Sequence, residues 1–184
     1  IFIDRANPDW NSVGIGLSGW KLFDRPYFTR KPGMLPLPEP QVGGSLKNLR
    51  KFVNLTDEQW VLYQAFLVSC LRPNGPYWIL VINGQQGSGK SVLSSVTRSL
   101  IDPNRVVSQG SFKSEEDLVI TAQNSHLVVL DNLSKITDSQ ADALCRLVSG
   151  SGFRTRKHYT NSDENLMQTV NPVVLNGIPN FVTR

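Results

Sequence analysis

With 184 residues, 40 % of them hydrophobic and 18 % charged, the chain buries one sizeable core without help from disulfides or metals. Its net charge of +4 and pI near 9.2 suit a polyanionic ligand such as nucleotide or DNA, and suit many ordinary soluble proteins equally well. No apolar run approaches the roughly 18 to 20 residues that cross a bilayer, and no basic-then-apolar leader opens the chain, so a cytoplasmic protein without membrane contact is expected.

Taken in order, residues 1–53 are rich in glycine, proline and turn residues, including Lys31-Pro-Gly, Pro36-Leu-Pro and Gly43-Gly44. They read as an irregular extension preceding a domain over 54–184. Thr56-Asp-Glu-Gln59 has the spacing of a capping box and opens a helix that ends before Pro73. Trp78–Ile82 is a short, β-branched apolar run of the kind found in a fully buried parallel strand. A helix follows from Lys90 to about Leu100, stopped by Asp102-Pro103, and Arg105–Val107 reads as a short strand. Ser114-Glu-Glu-Asp117 opens the next helix, His126–Leu130 is a second buried strand, and Thr137–Gln140 caps a helix that Gly150 terminates. Pro172–Leu175 is a third buried strand. This alternation predicts an α/β fold with a mostly parallel central sheet, helices on both faces and right-handed crossovers. Cys70 and Cys145 both sit among apolar residues and read as buried free thiols in a reducing compartment. Trp10, Trp20, Trp60 and Trp78 read as core rather than as base-stacking platforms. The chain begins at Ile1 and stops at Arg184 just after a strand-like segment, which reads as a piece of a longer polypeptide with elements expected beyond its C-terminus.

The segment Gly84-Gln85-Gln86-Gly87-Ser88-Gly89-Lys90-Ser91 satisfies G-x-x-x-x-G-K-[ST], and it lies between a predicted strand and a predicted helix, as a phosphate-binding loop requires. Glycines allow consecutive backbone N–H groups to turn inward on phosphate oxygens, and the helix start adds the positive end of its dipole. Lys90 is expected on the β- and γ-phosphates of a nucleoside triphosphate, most simply ATP. Ser91 is expected on Mg²⁺, and Val92 closes the set of nucleotide-contacting positions. Asp131, at the end of the strand His126–Leu130, is the candidate second Mg²⁺ carboxylate. It is expected on the strand adjacent to the loop, against the plainer reading of an Asp capping the next turn. Asn132 follows where many ATPases carry Glu, and an amide cannot accept a proton. Either hydrolysis is slow, or Asn132 orients the attacking water, or a carboxylate elsewhere supplies the base. Asn176 ends the third strand, where it would touch the γ-phosphate or the attacking water, or else simply form an Asn-Gly turn. Arg154, Arg156 and Lys157, before the turn-rich Thr160–Glu164, resemble the tip of a hairpin. An arginine there would reach the γ-phosphate bound to a neighbouring subunit, contact a nucleic-acid backbone, or be no more than a solvated charged face. His126 and His158 have no metal spacing with the two cysteines, so zinc is not expected.

The loop Gly84–Ser91, the strand end Asp131-Asn132, the basic hairpin and Asn176, in that order, resemble an AAA+ or RecA-like P-loop ATPase with a three-layer fold. Leu35-Pro-Leu-Pro38 with Gly43-Gly44, Asp131-Asn-Leu-Ser134 and Asp142-Ala-Leu-Cys-Arg146 resemble ATP-binding proteins of prophages and mobile elements. A more distant similarity is to superfamily-three and poxvirus primase-helicase ATPases. These resemblances imply ATP and Mg²⁺ as ligands, ring assembly of identical subunits and a helicase-like motor on DNA. A nucleotide-switched loader with slow hydrolysis and, ranked lower, a small-molecule kinase share the same loop.

Overall fold

The computed structural model describes residues 1–24, 28–156, 164–178 and 182, with 154–156 and 164–167 described by their backbone alone. It is a mixed α/β structure built on a small parallel sheet of three strands, β4 (Ile79–Asn83), β5 (Val128–Leu133) and β8 (Val173–Gly177). Their order is β4-β8-β5, with Ile79 opposite Val173 on one side and Val128 opposite Val173 on the other. Every residue of β8 is buried. Its run Val-Val-Leu is apolar on both sides because both faces of the sheet are covered.

Side chains of the central strands alternate between two cores. Val173, Leu175, Val128 and Leu130 pack with Leu118, Val119 and Ala122 of α4 (Glu115–Gln123) and Ala143, Leu144 and Leu147 of α5 (Asp138–Ser149). Val174, Val129, Leu127 and Ile82 pack with Tyr63, Phe66, Leu67 and Cys70 of α2 (Asp57–Cys70) and Leu93 of α3 (Lys90–Ile101). The helix starts follow their local chemistry. Thr56 with Gln59, Ser114 with Asp117 and Thr137 with Gln140 each form a reciprocal capping box, and each cap is worth about 1 kcal/mol. Gly150, with φ of +78°, ends α5 as expected.

Three expectations change. Residues 1–53 are not irregular throughout: β1 (Phe2–Asp4), β2 (Ser12–Gly16) and β3 (Gly19–Phe23) form an antiparallel meander, and α1 (Lys47–Arg50) adds one helical turn. Arg105–Val107 is not a strand. Instead Met34 bridges Asn104, Leu35 N–H donates to Pro103 O at 2.9 Å and Arg105 N–H donates to Gly33 O at 2.9 Å, tying the extension to the loop after α3. The strand-like pairing beside β5 comes two residues later, where Gln109 bridges Leu130. The tryptophans are not all core: Trp10, Trp20 and Trp78 are 46 %, 38 % and 57 % exposed, and only Trp60 packs at the edge of a core.

The cysteines also divide. Cys70 is buried on the inner side of α2, and burial pushes its thiol up to about 12, whereas Cys145 is exposed. On α5 the buried positions are Ala143, Leu144 and Leu147, and Cys145 falls outside that stripe. We therefore expect one of the two thiols to react promptly with an aromatic disulfide reagent at pH 8 in the folded protein, and the second only on unfolding. Cys145→Ser should remove the fast phase; two fast thiols would contradict this packing. Among the described residues no helix is long and apolar enough to cross a membrane.

Candidate functional site

The glycine loop does lie between β4 and α3. Asn83 ends the strand, and Gly89 caps the helix with φ of +83°, a left-handed backbone that only glycine adopts without strain. Gly87 has φ of +80°. Gln85, Gln86, Ser88 and Val92 are exposed around the loop mouth. The Lys90 ammonium curls back over the loop and donates to Gly84 O at 2.9 Å and Gln85 O at 2.8 Å. It is thereby held above the N-terminal end of α3, where unpaired helix N–H groups and the helix dipole already favour an anion.

Asp131 is not on the strand adjacent to the loop's strand, because β8 inserts between β4 and β5. That insertion assembles the site. It brings Asn176, at the carboxyl end of the middle strand, between the loop on one side and Asp131 on the other. Asn176 is buried at 1 % exposure, and its Nδ2 donates to Asp131 Oδ1 at 2.5 Å and to Ser91 Oγ at 3.3 Å. Ser91 Oγ in turn donates to Asp131 Oδ1 at 3.3 Å. Three residues spread over 85 positions of sequence thus meet within hydrogen-bond reach of one another. The plain Asn-Gly turn considered for Asn176 is replaced by a buried, doubly donating amide.

The backbone on which Asp131 and Asn132 sit is irregular. The register of β5 against β8 breaks between Leu130 and Leu133, and Asn132 takes φ of +62°. A non-glycine residue in this conformation costs about 1 kcal/mol or more, and such bulges re-aim side chains at the rims of sheets. Here the twist lets Asn132 N–H donate to Asp131 Oδ1 at 2.7 Å and leaves the Asn132 side chain exposed at the end of the sheet. Asp131 is anchored from its other side by its own N–H, which donates to Gln109 O at 2.8 Å. Its Oδ1 accepts three donors, and its Oδ2 has no partner among the described residues.

Arg154 and Arg156 lie on β6 (Phe153–Arg156), which pairs antiparallel with β7 (Glu164–Met167), so the basic segment does start a hairpin. Their side chains, together with Lys157, His158 and the whole tip through Asp163, lie outside the described residues. The other histidine, His126, faces the Cys70 carbonyl through Nε2 at 2.7 Å and stacks edge-on against Tyr77.

A sequence model of the actinomycete integrative conjugative element replication proteins matches residues 45–184. The chain belongs to this family. The match takes in the glycine loop, Asp131, Asn132, the hairpin and Asn176, and it leaves the meander outside. The resemblance to mobile-element proteins seen in the sequence therefore holds at the level of a replication protein of such an element. No curated protein matches the chain. Among solved structures, the apo A form of the NrS-1 C-terminal region is similar at TM-score 0.51 and 14 % identity, over 96 % of this chain. A second apo A-form structure of that region, residues 305–718, gives TM-score 0.47 at 14 % identity. The chain spans 41 % of the NrS-1 region's length. At this identity the first likeness is one of fold.

Proposed function

We propose that this integrative-element replication protein binds a nucleoside triphosphate, most simply ATP, in the loop Gly84–Ser91 and hydrolyses it to drive DNA handling during replication of the element. The observation that carries the reading is the meeting of Ser91, Asp131 and Asn176 at the carboxyl ends of the parallel strands, directly beside a glycine loop that opens a helix. A hydroxyl, a carboxylate and a buried amide converging at a helix N-terminus form a site for a phosphate chain with its counter-cation. Three-layer P-loop architecture, with cores on both sides of the sheet, is the arrangement that this reading implies.

In this mechanism the loop N–H groups hold the phosphates, and Lys90 leaves the Gly84 and Gln85 carbonyls to neutralise the β- and γ-oxygens. The Ser91 hydroxyl and Asp131 carboxylate, 3.3 Å apart, are hard oxygen donors that fit Mg²⁺, which when bound would neutralise charge on the transferred phosphoryl group. Asn176 would give up its hydrogen bond to Ser91 to donate to the γ-phosphate or the attacking water while keeping Asp131, and Asn132 would orient that water without accepting its proton. Arg154 or Arg156 supplied by a neighbouring subunit in a ring would complete the charge stabilisation. The test is phosphate release with and without single-stranded DNA; absence of stimulation would remove the motor from the proposal.

Asn132 favours a second reading, a nucleotide-switched loader that binds ATP tightly and turns over slowly. If the missing base limits turnover, Asn132→Glu should raise phosphate release by about tenfold or more. Tight ATP binding with turnover still negligible in that variant would favour the switch.

A further inference from the structure

The N-terminal meander presents an aromatic and cationic face that the nucleotide site does not use. Register places Phe2, Gly14 and Lys21 in one row, and Asp4, Ser12 and Phe23 in a row two residues along on the same face. Gly14 is required there: a Cβ on it would lie 2.4 Å from the Phe23 ring and 3.0 Å from the Phe2 ring. The two rings therefore lie over the bare strand, edge to face at 5.3 Å, and remain 36 % and 51 % exposed. Lys21 is exposed in the same row. Next to them Asp4 holds Arg30 through two hydrogen bonds, at 2.7 and 2.9 Å, and the guanidinium sits 4.0 Å over the ring of Trp10, which is 46 % exposed.

Charge points to the occupant. Residues 1–53 hold eight Lys and Arg against four Asp and Glu, whereas residues 54–184 hold eleven of each, and of those eight cations Lys21 and Arg30 lie at this face, against Asp4. Flat exposed rings beside cations suit unpaired bases, which stack on any aromatic surface while the phosphates follow the positive charge. A duplex keeps its bases stacked on one another and would use the cations alone. A second copy would set one positive segment against another.

We propose that the face formed by Phe2, Lys21 and Phe23, flanked by the Trp10–Arg30 stack, binds single-stranded DNA. The inference rests on the DNA-handling part of the function above and is independent of the nucleotide loop. The test is fluorescence anisotropy of a labelled oligo-dT of about 20 nucleotides and of a matched duplex, without nucleotide, across a salt series. Phe2→Leu/Phe23→Leu keeps apolar cover over Gly14 but removes the stacking surfaces; it should weaken single-strand binding at least tenfold and leave duplex binding within twofold. Lys21→Gln, at an exposed position that does not threaten folding, should make the slope of log affinity against log salt shallower by about 0.7. Both variants should bind a fluorescent ATP analogue as the parent chain does. Unchanged single-strand affinity in both variants overturns the proposal, as does equal weakening on duplex. So does self-association of the parent chain that the double variant abolishes, which would assign the face to a second copy. A chain that binds the ATP analogue but no DNA overturns this inference and the DNA-handling reading together. DNA binding without nucleotide binding overturns only the reading of the loop.

Discussion

Lys90→Ala is expected to reduce ATP turnover by about 10²-fold or more, with a parallel loss of affinity for the triphosphate, because it removes an ammonium held at the loop. That ammonium donates to two loop carbonyls at the protein surface, at 2.9 and 2.8 Å. Its loss should therefore leave folding nearly intact, and far-UV circular dichroism and the thermal midpoint should stay close to those of the parent chain. Isothermal titration with a slowly hydrolysed ATP analogue, paired with a phosphate-release assay, separates the two effects. Substantial activity surviving in Lys90→Ala would place the chemistry elsewhere. Asp131→Ala should also abolish turnover but spare more of the affinity, since the loop N–H groups and Lys90 remain; equal loss of both quantities would argue that Asp131 holds the local fold instead.

Asp102→Ala is expected to destabilise the chain by about 3–5 kcal/mol, the largest effect of any single polar replacement proposed. Asp102 is 7 % exposed and pairs at 3.4 Å with Arg98, itself 4 % exposed. The same carboxylate oxygen accepts the His126 N–H at 2.7 Å and the Leu127 N–H at 3.0 Å, immediately before β5 begins. Arg98 also donates to the Leu127 carbonyl, so the pair closes off both backbone groups at the entry to the strand. Burial pushes the guanidinium pKa down and the neighbouring carboxylate pulls it back up. Removing Asp102 leaves the buried Arg98 cation without its counter-charge and takes the acceptor from the part-buried His126 N–H and the buried Leu127 N–H. Asp102→Asn should be less damaging because it restores an acceptor to the strand entry, and Arg98→Met/Asp102→Ala should recover only part of the loss because the two N–H groups stay unpaired. Urea unfolding of these three variants orders the contributions; a loss below about 1 kcal/mol in Asp102→Ala would mean that water reaches the pair.

The helices α2, α4 and α5 were legible because capping is local chemistry: a hydroxyl and a carboxyl or amide three residues apart satisfy the same orphan N–H groups in any fold. Strands β4, β5 and β8 were legible as short apolar runs bounded by turn residues. The loop Gly84–Ser91 was legible because its spacing is itself the geometry of the turn. The meander escaped notice because its strands are three to five residues long, β2 buries three consecutive residues, Ser12 to Gly14, and β3 is exposed throughout, so neither shows a clean alternation. The surface thiol at Cys145 was hidden by apolar neighbours in sequence that turn away on the helix.

By itself, then, the sequence determined the helix starts, the three buried strands and the place of the glycine loop between a strand and a helix, all set by contacts within a few residues. Only the tertiary structure decided that β8 runs between β4 and β5, that Asn176 therefore reaches both Ser91 and Asp131, and that Asn132 turns left-handed at the break in β5. Strand order depends on how α2 and α3 on one face and α4 and α5 on the other bury their apolar stripes at once, a condition satisfied by the whole core rather than by any stretch of chain.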